Sequence, residues 1–195
     1  MNLKRISLFL VLFIFLIFDM FAGPFGIQFG MSLEQIRQIS STPPQNIEND
    51  WYRITPPNTH ELFETYNVQI HPTFGVYFIQ AISRNINTNS HGAELIGQFN
   101  NIVSSISRIY GDYFLRDHLN SESIFNRSQD FMFTLQRGDR ELVAFWHREE
   151  GSTLPDDMLE IIVVAEASSS SRGFIILEYY SINFDKIEEE RSSVF

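Results

Sequence analysis

Between residues 93 and 110 apolar side chains recur every three or four positions. Leu95, Ile96, Phe99, Ile102, Val103, Ile106, Ile109 and Tyr110 share one side of a helix, and Glu94, Gln98, Asn101, Ser105 and Arg108 take the other. Gly111 supplies the stop. A stripe of this length must form a major part of the core. Beyond residue 130 the period drops to two. Phe131, Phe133 and Leu135 alternate with Met132, Thr134 and Gln136, and Leu142, Ala144 and Trp146 alternate with Val143, Phe145 and His147. The connection Arg137-Gly138-Asp139-Arg140 predicts a hairpin between them. A second strand pair follows. Leu159, Ile161, Val163, Ala165 and Ala167 share one face of its first strand, and Phe174, Ile176, Glu178, Tyr180 and Ile182 alternate along its second, with residues 168–173 as the return. Four sequential strands with short returns predict a meander, and the long helix needs an apolar sheet face to cover.

Upstream, residues 26–30 read as a short strand. Ser32 and Gln35 have the spacing of a capping box, with Met31 and Ile36 placed as a hydrophobic staple, so a short helix starts there, its stripe formed by Leu33, Ile36 and Ile39. Thr42-Pro43-Pro44 ends it, because proline lacks the amide donor and restricts the residue before it. A polar linker runs to Asp50, and residues 51–54 form a short strand. Tyr66, Val68 and Ile70 alternate as one strand face, the 71–75 segment turns, and residues 76–83 make an apolar central strand. Residues 112–130 lack a period and read as loop with helical turns. The predicted fold is α+β: an antiparallel sheet with a C-terminal four-strand meander, packed against one long and one short helix. A single domain is expected over residues 23–184, followed by a solvated, charged C-terminal tail at 185–195.

The N-terminus changes the picture. Lys4 and Arg5 precede an apolar run over residues 6–18 that Asp19 closes. About 13 residues of helix reach roughly 20 Å, short of a hydrocarbon core of about 30 Å. A charged start, a short apolar stretch and small residues after it form the pattern of a signal peptide over residues 1–22, cut within residues 19–25 after Ala22 or Gly23. The alternative is an inner-membrane anchor through residues 6–18.

The chain holds 14 Lys and Arg against 24 Asp and Glu. Residues 1–22 contain Lys4, Arg5 and Asp19, so the remainder carries 12 basic and 23 acidic residues, a net charge of −11. That balance argues against nucleic acid and against anionic membrane surfaces, both of which are bound through clustered cations. No integral span is expected once the leader is gone. There is no cysteine, which removes disulfides, thiolate metal sites and lipidation on cysteine. Export without disulfides points to a bacterial periplasm or a secreted protein.

Candidate chemistry is sparse. His60, His71, His91, His118 and His147 are dispersed without a metal-binding spacing, and no nucleophile elbow, phosphate loop or dinucleotide fingerprint occurs. No catalytic, cofactor or metal residue is therefore assigned. Asp156-Asp157 precedes a strand and reads as loop solvation, and His91 and Glu94 stand where a helix N-terminus favours a carboxylate. Arg137-Gly138-Asp139 matches an adhesion tripeptide but has the composition of a tight turn, and Asn126-Arg127-Ser128 is a glycosylation sequence only in a eukaryotic secretory pathway. Phe195 ends the chain as aromatics end outer-membrane barrels, yet residues 186–193 show none of the alternation a lipid-facing strand needs.

The segment Gly26-Ile27-Gln28-Phe29-Gly30-Met31-Ser32-Leu33-Glu34-Gln35-Ile36 resembles the strand-to-helix opening of small bacterial envelope proteins of the SmpA/BamE type, lipoproteins of barrel assembly. The resemblance implies an envelope setting and an envelope protein partner. It carries over no functional residue, and the lipidated cysteine of that family has no counterpart here. Taken together, the residues point to an exported, non-catalytic binding or interaction module. The alternative is a hydrolase whose cleft is assembled from the 112–130 segment and the 42–60 loop with Trp51, Tyr52 and His60. A deep pocket of convergent ionisable groups would favour the enzyme, and an apolar patch the interaction module.

Overall fold

A computed structural model describes residues 23–148 and 151–193. It is a mixed α+β fold with nine strands in one antiparallel sheet and four α-helices. The strands are β1 (Gln45–Glu48), β2 (Trp51–Ile54), β3 (Phe63–His71), β4 (Gly75–Ser83), β5 (Ile86–Asn87), β6 (Phe114–Leu119), β7 (Arg140–His147), β8 (Met158–Ser169) and β9 (Arg172–Ser181). Their order across the sheet is β1-β2-β3-β4-β9-β8-β7-β6, with β5 pairing beside β4 along the far end of β9. The chain thus builds one half of the sheet from its first strands and the other half from its last. The two halves meet at the β4–β9 seam, where Phe78 faces Tyr180 and Ile82 faces Ile176.

The helices are α1 (Leu33–Ile39), α2 (Ala93–Tyr110), α3 (Phe131–Arg137) and α4 (Phe184–Ser192). The first three cover one face of the sheet, called the inner face here. Alternate strand residues point into that layer: Ile54, Tyr66, Val68, Ile79, Ala81, Leu142, Ala144, Trp146, Ile161, Val163, Ala165, Ile175 and Leu177 are all buried. From above them come Ile36 of α1, Leu95, Phe99, Ile102, Val103 and Ile106 of α2, and Phe131, Met132 and Leu135 of α3. Five side chains buried by α2, at about 1.5–3 kcal/mol each, contribute about 8–15 kcal/mol before conformational entropy is subtracted.

At α1 the sequence reading and the structure coincide. The Ser32 hydroxyl accepts from the Gln35 amide at 3.3 Å, the Gln35 side chain accepts from the Ser32 amide at 2.8 Å, and Ile36 is fully buried. Ser32→Ala is expected to lower stability by about 1 kcal/mol, and a chemical-denaturation midpoint equal to that of the parent would remove the cap from the account.

Several expectations are corrected. Residues 26–30 are not a strand. Pro24–Gly26 form a 3-10 turn, and only the Gly30 amide bonding to Val76 O and the Val76 amide bonding to Met31 O, both at 2.8 Å, continue the sheet pattern. The linker before Asp50 contains β1, an exposed edge strand, and the 112–130 segment contains the opposite edge strand, β6, followed by a 3-10 turn at Ser128–Asp130. Residues 131–136, expected as the first strand of the meander, form α3. Gly138, expected at a hairpin tip, is the left-handed stop of that helix at φ 73°. The four neighbouring strands at this end of the sheet are therefore β6, β7, β8 and β9, with α3 inserted between the first two. The charged tail is not solvated throughout: it forms α4, which lies on the other face of the sheet with Ile187 fully buried. Of the eight stripe residues of α2, Ile96 and Tyr110 are half-buried and Ile109 is exposed; the latter two stand where the last turn of the helix overhangs a cleft.

The expected leader, residues 1–22, lies outside the described residues. Among the described residues no helix is long and apolar enough to cross a membrane.

Candidate functional site

The strand registers define the second, outer face of the sheet as a set of rows. One row runs Trp51, Gln69, Phe78, Tyr180, Glu160, His147. A bulge adds Tyr77 to it. This end of the outer face is covered by α4. Phe184 stacks edge-on against Tyr180 with centroids 4.7 Å apart, Ile187 packs with Tyr77 and Phe78, and Lys186 lies 4.7 Å over the Phe74 ring. Asp50 fastens the helix, accepting from the Tyr77 hydroxyl at 2.7 Å and pairing with Arg191. Burial is the main reason that the Tyr77 phenol is pushed far above its ordinary pKa, and the neighbouring carboxylate acts in the same direction.

The next row is a hydrogen-bonded ladder. Arg53 donates to Asn67 at 3.5 Å, Asn67 to Gln80 at 3.0 Å, Gln80 to Glu178 at 2.9 Å, and the Tyr180 hydroxyl closes onto Glu178 at 2.8 Å. It satisfies the buried Asn67 amide, so this polar group on the sheet is explained by internal pairing. Past the ladder the outer face is apolar and uncovered by any described helix. Ile162, Phe145 and Phe114 complete the ladder row, and Ile82, Ile176, Val164 and Val143 form the next. These side chains are half-buried except Phe114, which is exposed at the β6 edge and stacks on Phe145 at 5.5 Å. The border of the patch is mixed in charge, because Arg116 extends the last row beyond Val143. Glu141 pairs with Arg116 at 3.5 Å, but Glu166, opposite Phe174, has no side-chain partner among the described residues. Burial raises its carboxyl above the ordinary value.

A cleft opens on the helix-covered side, where the end of α2 meets the segment before α1. It comprises two adjoining cavities that share Gly23, Pro24 and Tyr110. The larger, ≈ 640 Å³, is bordered by Phe29, Leu154, Pro155, Asp156 and Asp157. The smaller, ≈ 300 Å³, is walled by Phe25, His60, Phe63, Ile106, Leu177 and Tyr179. Phe25 holds a left-handed backbone (φ 58°, ψ 19°) that a non-glycine residue adopts only at a cost. Its ring is clamped edge-on by Phe63, Tyr66 and Tyr179 at 6.0, 4.9 and 6.1 Å. Packing of this aromatic nest thus fixes the strained turn that walls the cleft. Burial pushes the Tyr110 and Tyr179 phenols up from their ordinary values, each helped by a neighbour, Asp157 for Tyr110 and Tyr110 for Tyr179. Both stay protonated at neutral pH, as hydrogen-bond donors.

The expected site segments do not assemble into one cleft. Trp51 and Tyr52 lie in β2 and the 112–130 segment in and beyond β6, at opposite ends of the sheet. His60 does line the smaller cavity, where its Nδ1 accepts from the Leu62 amide at 3.1 Å. His71 Nδ1 likewise accepts from the Thr73 amide at 3.2 Å, inside the β3–β4 turn. Asp156 and Asp157, read as loop solvation, stand at the rim of the larger cavity. Arg137 and Asp139 pair with each other at 3.1 Å, and Arg137 also lies over the Phe133 ring, so the tripeptide serves the stop of α3. Arg127 of the glycosylation sequence pairs with Asp130 at 3.1 Å. The described residues contain no group of three or more His, Asp or Glu able to hold a metal ion. Tyr110, Tyr179 and Phe25 were not signalled as a site, because they come from distant parts of the chain and each reads locally as core.

Comparison with protein-family models, with curated proteins and with solved structures gave no match.

Proposed function

We propose that this chain is an exported, non-catalytic interaction module, periplasmic or secreted, whose outer sheet face docks a partner polypeptide with an apolar surface and basic flanks. The observation that carries the reading is the uncovered apolar half of that face, with Ile82, Val143, Phe145, Ile162, Val164 and Ile176 side by side. Contiguous apolar surface of this kind is costly to leave in water and marks contact sites. The packing of the chain's own α4 supports the reading by analogy: it sets aromatic and aliphatic groups on the sheet and pairs Arg191 with Asp50 at the border. Neither cavity brings together a nucleophile and a base in hydrogen-bonding contact, which favours docking over hydrolysis. The likeness of residues 26–36 to SmpA/BamE-type proteins, which lies in the sequence and in the start of α1 but not in the expected strand, is the ground for proposing an envelope setting and an envelope protein as the partner.

The test uses a synthetic amphipathic peptide of leucine and lysine, followed by fluorescence anisotropy. It is expected to bind the native chain, while the glutamate counterpart does not. Val164→Glu with Ile176→Glu should weaken binding at least about tenfold. Because this pair of substitutions adds negative charge, nonspecific attraction would strengthen binding instead, and an unchanged or tighter complex would overturn the proposal. Export is tested separately by fractionation and mass spectrometry of the N-terminus, where a chain beginning within residues 19–25 is expected and an intact Met1 in the cytosol would sink it.

A further inference from the structure

We infer that the paired cavities at the end of α2 bind a small ammonium compound with an apolar body that carries a hydrogen-bonding oxygen, of the hydroxyphenyl-alkylamine kind. The site lies on the helix-covered side of the sheet, so it is independent of docking on the outer face.

Three observations set the ligand class. The first is Tyr179. Its residue is only 7% exposed, it lines the smaller cavity, and its hydroxyl has no protein partner among the described residues. Its oxygen is open to the cavity rather than sealed in the core, so it is free to donate to whatever occupies that space. A ligand oxygen inside the cavity can accept from it. The second is the wall. Phe25, Phe63, Ile102 and Leu177 offer apolar and ring-edge contacts that suit an aryl body and leave few other polar groups for it to satisfy. Fixed by its aromatic neighbours in a strained turn, Phe25 presents a preorganised surface.

The third is charge. No lysine or arginine lines either cavity, and the histidine that does, His60, uses its Nδ1 to accept from the Leu62 amide, whereas Asp156 and Asp157 stand at the rim of the larger cavity. Arg148 reaches Asp156 at 3.6 Å, but Asp157 has no cation beside it among the described residues. Tyr110 borders both cavities, so a ligand seated in the smaller one extends past it toward the carboxylates at the rim of the larger. A carboxylate without a cation beside it favours a cationic head and disfavours an anionic one. Fatty acids and other carboxylates are therefore poor candidates for this cleft.

Tyramine is the probe, titrated calorimetrically into the chain at low salt. Saturable one-to-one binding is expected. Phenethylamine, which lacks the oxygen, and 3-(4-hydroxyphenyl)propanoate, which exchanges the cation for an anion, should each bind about tenfold more weakly or worse. Tyr179→Phe keeps the ring and removes only the unpartnered hydroxyl, so the variant should fold with its melting temperature unchanged or raised. It should bind tyramine about tenfold more weakly and phenethylamine as before. Asp157→Asn should weaken both amines and leave the propanoate no worse. The inference is overturned if tyramine fails to saturate, if the propanoate binds as well as tyramine, or if Tyr179→Phe leaves the preference for tyramine over phenethylamine intact.

Discussion

Replacing Gly75 with alanine is expected to destabilise the fold by about 2–5 kcal/mol, the sum of a left-handed backbone penalty and a steric clash. Gly75 opens β4 at φ +68°, where an L side chain is strained. A Cβ there would stand 2.2 Å from Gly30 O, 2.4 Å from Gly30 C and 2.8 Å from Met31 O. These are backbone atoms, and they are not free to retreat. The same stretch is bonded to β4 through the Gly30 amide to Val76 O and the Val76 amide to Met31 O. Any shift that relieves the clash must lengthen those bonds and drag the start of α1. A urea midpoint within error of the parent would show that the contact yields far more easily than its geometry implies.

The second large effect is at Trp146. The side chain is fully buried on the inner face of β7, its indole N–H donates to Gly111 O at 3.0 Å, and the Tyr113 ring lies 5.3 Å away. It therefore ties the end of α2 to the sheet. Trp146→Ala is expected to cost about 3–5 kcal/mol through lost burial and the cavity left behind. Trp146→Phe should cost about 1–2 kcal/mol, because Gly111 O keeps a second donor in the Ser107 hydroxyl at 2.9 Å. Denaturation curves for the two variants check this ordering. Equal losses would mean that the indole hydrogen bond, not its volume, holds the junction.

Much of the architecture was legible where one signal dominated. The α2 stripe, the Ser32–Gln35 cap and the paired runs of β8 and β9 each had a local pattern that tertiary packing reinforced. Residues 131–136 are ambiguous in the sequence because a short run of mixed apolar positions satisfies a period of two and of 3.6 alike. The discriminating information lay at the end of the run, where Arg137 and Gly138 form a helix stop. Strand β6 was missed for the opposite reason. Phe114-Leu115-Arg116-Asp117-His118 is exposed almost throughout, as a charged edge strand is, so no alternation reports it. Helix α4 rests on Phe184 and Ile187, too few anchors to stand out among Asp185, Lys186 and the glutamates that follow.

The cleft was less visible still. Its histidine and its aspartates were singled out one by one, but Phe25, Tyr110 and Tyr179 converge only after the sheet has closed beneath α2. A residue that lines a cavity and one that fills a core differ in what surrounds them, not in their spacing along the chain. The outer face had a clearer trace. Phe174, Ile176 and Tyr180 alternate with buried Ile175, Leu177 and Tyr179, so β9 is apolar on both sides although α4 shields only one end of the second.

The seam between β4 and β9 has a bearing on how the molecule is born. Gln80 and Glu178 touch across 98 positions of the chain, so the middle of the sheet waits for nearly the last strand to be synthesised. An incomplete chain has only half a sheet, with the edge of β4 unpaired, and contacts this remote slow the search for the native state. Such lateness leaves the nascent polypeptide without a closed sheet until β9 has emerged, and it makes the joining of the two halves depend on that one strand.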